Sequence, residues 1–199
     1  LDQALNESDY ILHLAGVNRP KSDLEFKESN IDLTQYICNY LEKINKTPKI
    51  IFSSSTQIKL DNPYGISKKS AEYILKKYNK ITGGDVVIYR LPGVFGKWSR
   101  PNYNSVVATF CNNISRGIPV EIIDKNRQLD LVYIDDVVKE MNYELSIDKR
   151  TNQFSVPEIS NIYSITISNL HKMLVSFSES RDDLFLPNIN DKLKLQRFC

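Results

Sequence analysis

The feature that most limits what this chain can fold into is an alternation, over its first 91 residues, of short β-branched runs with longer amphipathic stretches. Tyr10–Leu14, Lys49–Phe52 and Val86–Leu91 read as strands, and Asp23–Asn45 and Tyr64–Ile81 between them read as helices. Runs such as IIFS and VVIYRL carry few polar interruptions, as parallel strands buried on both faces do. A β-α-β-α-β order with right-handed crossovers predicts an α/β, Rossmann-like doubly wound parallel sheet. In the first helix Phe26, Ile31, Leu33, Ile37 and Leu41 keep helical spacing, although Ser29-Asn30 interrupts the early turns. The second helix has a clean start, with Asn62 able to cap and Pro63 where a helix tolerates proline.

The second half is less regular. A loop, GVFGKWSRPNYN, is followed by a helix over Ser105–Arg116 that stops at Gly117-Ile118-Pro119. Short strands are expected at Val120–Ile123 and Leu129–Val132, then a helix from Asp135 to about Ser146 with Asp135 as its cap. Asn161–Ile165 reads as a strand and Ser168–Ser178 as a helix. In this order residues 1–158 form the parallel-sheet domain, 159–186 a small irregular C-terminal lobe, and 187–199 a linker. A ligand is then expected where the lobe meets the carboxyl ends of the strands.

Charge and cysteines exclude several classes. With 26 Lys+Arg against 24 Asp+Glu, no basic surface points to nucleic acid or an anionic membrane. No apolar run approaches the length of a membrane span. Cys38, Cys111 and Cys199 are odd in number and scattered, without a C-x-x-C or Cys/His cluster, so neither a disulfide framework nor a metal site is indicated and a cytoplasmic setting is expected.

The chemistry-bearing candidates gather at strand ends. Tyr64 and Lys68, four residues apart, share a helix face, and an ammonium there is expected to lower the phenol's pKa for acid/base work. The bare spacing is uninformative, because 11 Tyr among 199 residues, with lysines as frequent as here, predict about one such match by chance. Tyr73 and Lys77 make a second match, but Tyr73 falls mid-helix and reads as a half-buried packing residue. Ser53, Ser54, Ser55 and Thr56 follow the second strand, where hydroxyls can hold a carbonyl or satisfy loop backbone. His13 reads as a satisfied core histidine, Asn30 as a supporting hydrogen-bonder near the site, and Asp135 and Asp136 as helix caps.

The order of these motifs, His13-Leu-Ala-Gly16, Ser53-Ser-Ser55, Tyr64-x-x-x-Lys68, Arg90-Leu-Pro92-Gly-Val-Phe-Gly96 and Tyr133-Ile-Asp135-Asp136, resembles the extended short-chain dehydrogenase/reductases, the NAD-dependent epimerase/dehydratase family of nucleotide-sugar enzymes. The strings HLAGVNRP, DNPYGISK, YRLPGVFGKWSRPNYNSVVATFCNNI and YIDDVV are similar, more narrowly, to the reductase domain of the bifunctional CapF-type enzymes of bacterial capsule synthesis. The resemblance implies reduction, by NADPH or with NAD as the possible alternative, of the 4-keto group of a UDP-2-acetamido-2,6-dideoxy-hexos-4-ulose on the route to UDP-N-acetyl-fucosamine. A UDP-sugar 4-epimerase with tightly held NAD, or a non-catalytic nucleotide-binding module, are the alternatives.

On that resemblance Tyr64 is the proton donor, Ser55 holds the carbonyl oxygen, and Lys68 keeps the phenol acidic while binding the nicotinamide ribose. Ala15 and Gly16 let the backbone approach the cofactor, Ser53 and Pro92 line it, and Thr56, Asn104 and Arg127 meet the UDP-sugar, a homodimer being usual in the family. Gly93 stands where many relatives have a sugar-contacting Asn. Thr56-Gln57 replaces the acidic pair of the related dehydratases, so dehydration is not expected. The turn G-x-x-G-x-x-G is missing from the 199 residues. The low count of 7 Gly fits a chain read as a fragment, without its N-terminal β-α-β unit and leading by its linker toward a cupin-like domain that is not in it.

Overall fold

A computed structural model describes residues 1–147 and 152–183. It divides into two compact units, Leu1–Leu91 with Lys139–Ile159, and Pro92–Val138 with the described residues from Ser160 on. The expected linker over 187–199 lies outside the described residues.

The first unit is built on a parallel sheet in the order β1-β2-β3-β6, formed by β1 (Tyr10–His13), β2 (Lys49–Ser55), β3 (Val86–Leu91) and the two-residue β6 (Phe154–Ser155). The helices are α1 (Asp2–Glu7), α2 (Asp23–Phe26), α3 (Leu33–Lys43) and α4 (Pro63–Thr82). Apolar faces of α3 and α4 close over the sheet, with Leu41, Ile50, Ala71, Leu75, Val86 and Ile88 at 0% exposure. The helix expected over Asp23–Asn45 is present but passes through a π-helical segment at Lys27–Asp32, where Asn30 points inward. Its interruption by Ser29-Asn30 is thus a bulge rather than a break. At α4 the expected cap forms, Asn62 Oδ1 accepting from Gly65 N at 2.8 Å.

The serine run departs from expectation. Rather than following the strand, Ser53–Ser55 are its last three residues, because β2 stays in register with β3 through Ser54↔Arg90 and Ser55↔Leu91. Pairing on the buried side overrides serine's preference for turns.

The second unit holds a three-stranded sheet in the order β4-β5-β7, from β4 (Gly93–Phe95), β5 (Gln128–Tyr133) and β7 (Tyr163–Thr166), β4 and β5 parallel and β5 and β7 antiparallel. Helices α5 (Val106–Ile114) and α7 (Ile167–Asp183) pack there through Val107, Phe110, Leu170 and Leu174 around Phe95 and Leu131. No strand forms at Val120–Ile123: these residues pair with no neighbouring strand and Ile123 is 94% exposed. Helix α6 (Ile134–Ser146) starts one residue before Asp135, which lies in its first turn and pairs with Lys97 at 3.1 Å instead of capping it.

Candidate active site

The carboxyl end of β2 and the first turns of α4 meet in the first unit. Ser55 closes β2 and its side-chain oxygen accepts from Gln57 N at 3.2 Å, which starts a 3₁₀ turn over Thr56–Lys59. That turn lies against α4 so closely that a Cβ at Gly65 would sit 2.2 Å from the Gln57 carbonyl oxygen and 2.9 Å from that of Leu60. Glycine at 65 is therefore what lets the chain place the half-buried Tyr64 beside Ser55. The Tyr64 phenol is hydrogen-bonded by the Ser55 side chain.

Lys68 follows one turn later and is almost fully buried. Its ammonium donates to the Ser53 carbonyl at 2.9 Å and stands 4.7 Å from the Phe52 ring centroid. Burial pulls its pKa down to about 8, opposed by the charge of Glu72. Tyr64 does not behave as the spacing predicts. Burial raises the phenol above its ordinary value and only the Ser55 hydrogen bond opposes this, since the Lys68 amine is turned to Ser53 and Phe52. The consequence is a phenol that stays protonated through neutral pH.

The loop after β1 borders the same place. Asn30, 1% exposed, accepts from Val17 N at 2.8 Å and donates to Val17 O at 3.0 Å and Ser67 Oγ at 2.9 Å, tying that loop to α4. A Cβ at Gly16 would stand 2.7 Å from Asn30 Oδ1 and 3.1 Å from Lys68 Nζ, so glycine is needed for both side chains to hold their places. Ala15 and Gly16 themselves are exposed, leaving backbone open beside the lysine. A buried ammonium, hydroxyls and an open glycine backbone at strand carboxyl ends suit the ribose and nicotinamide end of a dinucleotide.

His13 is core, as its sequence setting indicates. Its Nε2 lies 2.9 Å from Thr34 Oγ1, and because that hydroxyl donates to Asn30 O at 2.8 Å, His13 Nε2 is the donor. Burial, with the nearby Lys68 charge, lowers its pKa to about 4, so it is neutral at physiological pH. Tyr73 is 72% exposed, not a packing residue.

The remaining expected site residues are distributed as follows. Ser53 Oγ reaches only the His13 carbonyl, at 3.5 Å, and Thr56 is exposed. Pro92, half-buried between β3 and β4, belongs to the second unit, as do Asn104, exposed before α5, and Arg127, exposed before β5 with its carbonyl accepting from Ile167 N at 3.0 Å.

Sequence reasoning missed a buried carboxylate. Glu72 on α4 accepts from Ser54 Oγ at 2.6 Å and, in a two-pronged pair, from Arg90 Nε at 3.1 Å and Nη2 at 2.7 Å. The available signal was its place on the face of Tyr64 and Lys68, one further turn along. A separate cleft of about 340 Å³ lies at the amino ends of β2 and β3, around the buried pair of Lys49 and Glu144 at 2.9 Å, away from the serines. Among the described residues no cluster of His, Cys, Asp or Glu is placed to hold a metal ion, and no helix is long and apolar enough to cross a membrane.

Known proteins share the sequence and the fold of this chain. The chain is 41% identical over 193 residues to a UDP-2-acetamido-2,6-beta-L-arabino-hexul-4-ose reductase of Pseudomonas aeruginosa, a match covering 97% of this chain and 51% of the relative. The crystal structure of the capsular polysaccharide assembling protein CapF from Staphylococcus aureus superposes with a TM-score of 0.84 at 40% identity, over 97% of this chain and 52% of that one. A UDP-glucuronic acid 4-epimerase from Bacillus cereus, solved with NAD, shares the fold with a TM-score of 0.78 at 23% identity, over 89% of this chain and 62% of that one. The chain thus spans about half the length of the first two relatives. The model of the NAD dependent epimerase/dehydratase family matches residues 1–156, whose cofactor class is NAD(P). With the Ser55, Tyr64 and Lys68 arrangement and the parallel sheet beneath it, the chain belongs to the NAD dependent epimerase/dehydratase family.

Proposed function

We propose that this chain carries the site that reduces the 4-keto group of a UDP-2-acetamido-2,6-dideoxy-hexos-4-ulose with NADPH, in the making of capsular or surface polysaccharide precursors. The observation that carries the reading is the gathering of Ser55 at the end of β2, Tyr64 in the first turn of α4 and the buried Lys68, donating to the Ser53 carbonyl at 2.9 Å, with burial keeping the phenol protonated. An acid already holding its proton is what carbonyl reduction requires. The identity of 41% to a reductase of this substrate class supports the choice of sugar.

In this reading Ala15, Gly16, Ser53, Tyr64, Lys68 and Pro92 would hold the ribose and nicotinamide end of the cofactor. NADPH held by these residues would supply the hydride for the sugar's C4. Ser55 holds the carbonyl oxygen as negative charge develops on it. Tyr64 gives its proton to that oxygen, its own O–H bond breaking as the O–H bond of the alcohol forms, and the phenolate regains a proton from solvent. Thr56, Asn104 and Arg127 are assigned to the UDP-sugar, the arginine because its fork suits a diphosphate.

The test is turnover of that keto-sugar nucleotide by the intact polypeptide containing this chain. One NADPH should be oxidised per sugar reduced. Inversion at C4 of a UDP-sugar that carries a 4-hydroxyl, with no added reductant, would place the site among 4-epimerases, and cofactor binding with no turnover would make it a non-catalytic module.

A further inference from the structure

The Glu72 carboxylate does more than fill a buried position. It lies on the α4 face that carries Tyr64 and Lys68, and it is itself only 7% exposed. One oxygen takes both the Ser54 hydroxyl and Arg90 Nε, and the other takes Arg90 Nη2. Ser54 and Arg90 are register partners on adjacent parallel strands. A single carboxylate therefore joins the carboxyl ends of β2 and β3 to the helix that bears the acid. Ser54 sits between the two residues of β2 that serve the site, Ser53, whose carbonyl receives the Lys68 ammonium, and Ser55, which bonds Tyr64.

We propose that Glu72 is a positioning residue for the reduction: clamped to Ser54 and Arg90, it fixes where β2 presents the Ser53 carbonyl to Lys68 and the Ser55 hydroxyl to Tyr64. This rests on the reductase reading above. The geometry gives Glu72 a second effect. Its negative charge opposes the burial that draws Lys68 toward neutrality, with the lysine held at about 8. Charged hydrogen bonds of this kind are the strong ones, and their loss leaves buried partners unsatisfied.

Steady-state kinetics of Glu72→Gln, Glu72→Asp, Ser54→Ala and Tyr64→Phe in the intact polypeptide, followed from neutral to alkaline pH, decide it. Glu72→Gln keeps the shape and removes the charge. Its kcat is expected to fall about tenfold or more through misplacement, with KM for the sugar within about twofold. The alkaline limb of kcat/KM, expected to fall as pH rises through about 8 in the parent, should move down by about one pH unit. Glu72→Asp retains the charge but is too short to hold both partners, so it should lose kcat with the limb in place. Ser54→Ala removes one hydroxyl and no charge, and should lower kcat several-fold without moving the limb; it decides the matter if Glu72→Gln does not accumulate as folded protein. Parent-like kcat and an unmoved limb in Glu72→Gln, or parent-like kcat in Ser54→Ala, overturn the proposal while an inactive Tyr64→Phe leaves the reductase reading standing. An active Tyr64→Phe brings down both.

Discussion

Tyr64→Phe in the intact polypeptide is expected to lower keto-sugar reduction by about 10²- to 10⁴-fold, the range that a positioned proton donor contributes. The substitution removes one hydroxyl and leaves the ring packed 6.0 Å from Phe26, centroid to centroid. The phenol's bond to Ser55 is its one side-chain hydrogen bond acting on its titration, and Ser55 keeps its bond from Gln57 N when the phenol is gone. Folding should therefore be little changed, and KM for the sugar should stay within a few-fold. Loss confined to kcat identifies an interaction made in the transition state. The comparison of parent and variant by initial rates, with thermal unfolding as control, separates this from a variant that merely misfolds.

Gly65→Ala is expected to be the most damaging single-methyl change in the first unit. By helix propensity alone alanine would stabilise α4 by about 1 kcal/mol. The contact with the 3₁₀ turn reverses that, because the new methyl would stand 2.2 Å from a backbone carbonyl oxygen that has no rotamer by which to move away. Overpacking against side chains costs about 1–3 kcal/mol, and backbone has less room to yield, so a net loss of about 3 kcal/mol is expected. For a chain of this size that is a fall in Tm of roughly 6–12 °C. Since the same turn carries Ser55 against Tyr64, the folded fraction should also lose activity by about 10²-fold, as misplacement by an ångström does. Calorimetry and initial rates on one preparation read both effects, and an unchanged Tm would show that the turn gives way freely.

Much of the first unit was readable from residues alone. The alternation of apolar runs and helical faces predicts β1, α4 and β3 nearly to their ends, since those signals are local and repeated. Asn62 and Pro63 mark the start of α4, and the apolar setting of His13 marks it as core. What failed was non-local. Ser53–Ser55 look like a turn, and only pairing with β3 makes them strand. Phe154-Ser155 becomes β6 because β3 offers it an edge, and Gly93–Phe95 becomes β4 because β5 does, whereas Val120–Ile123 has the composition of a strand and no partner. The site divides in the same way. Tyr64, Lys68 and Ser55 follow from motif order, but the direction of the Tyr64 shift depends on burial and on where the Lys68 amine points. The Glu72, Ser54 and Arg90 clamp needs α4, β2 and β3 already folded together before any of its residues looks special.

The claim that this site delivers a hydride to a keto-sugar and a proton from Tyr64 is tested most directly by label transfer. The intact polypeptide is given UDP-2-acetamido-2,6-dideoxy-hexos-4-ulose and NADPH bearing deuterium at the transferring position of the nicotinamide, and the product is analysed by NMR. The account predicts a single deuterium at C4 of the sugar for each NADPH oxidised, in one configuration, with the rate of labelling lost in Tyr64→Phe. Alcohol product without deuterium at C4, or deuterium at C4 formed at an undiminished rate by Tyr64→Phe, would contradict it.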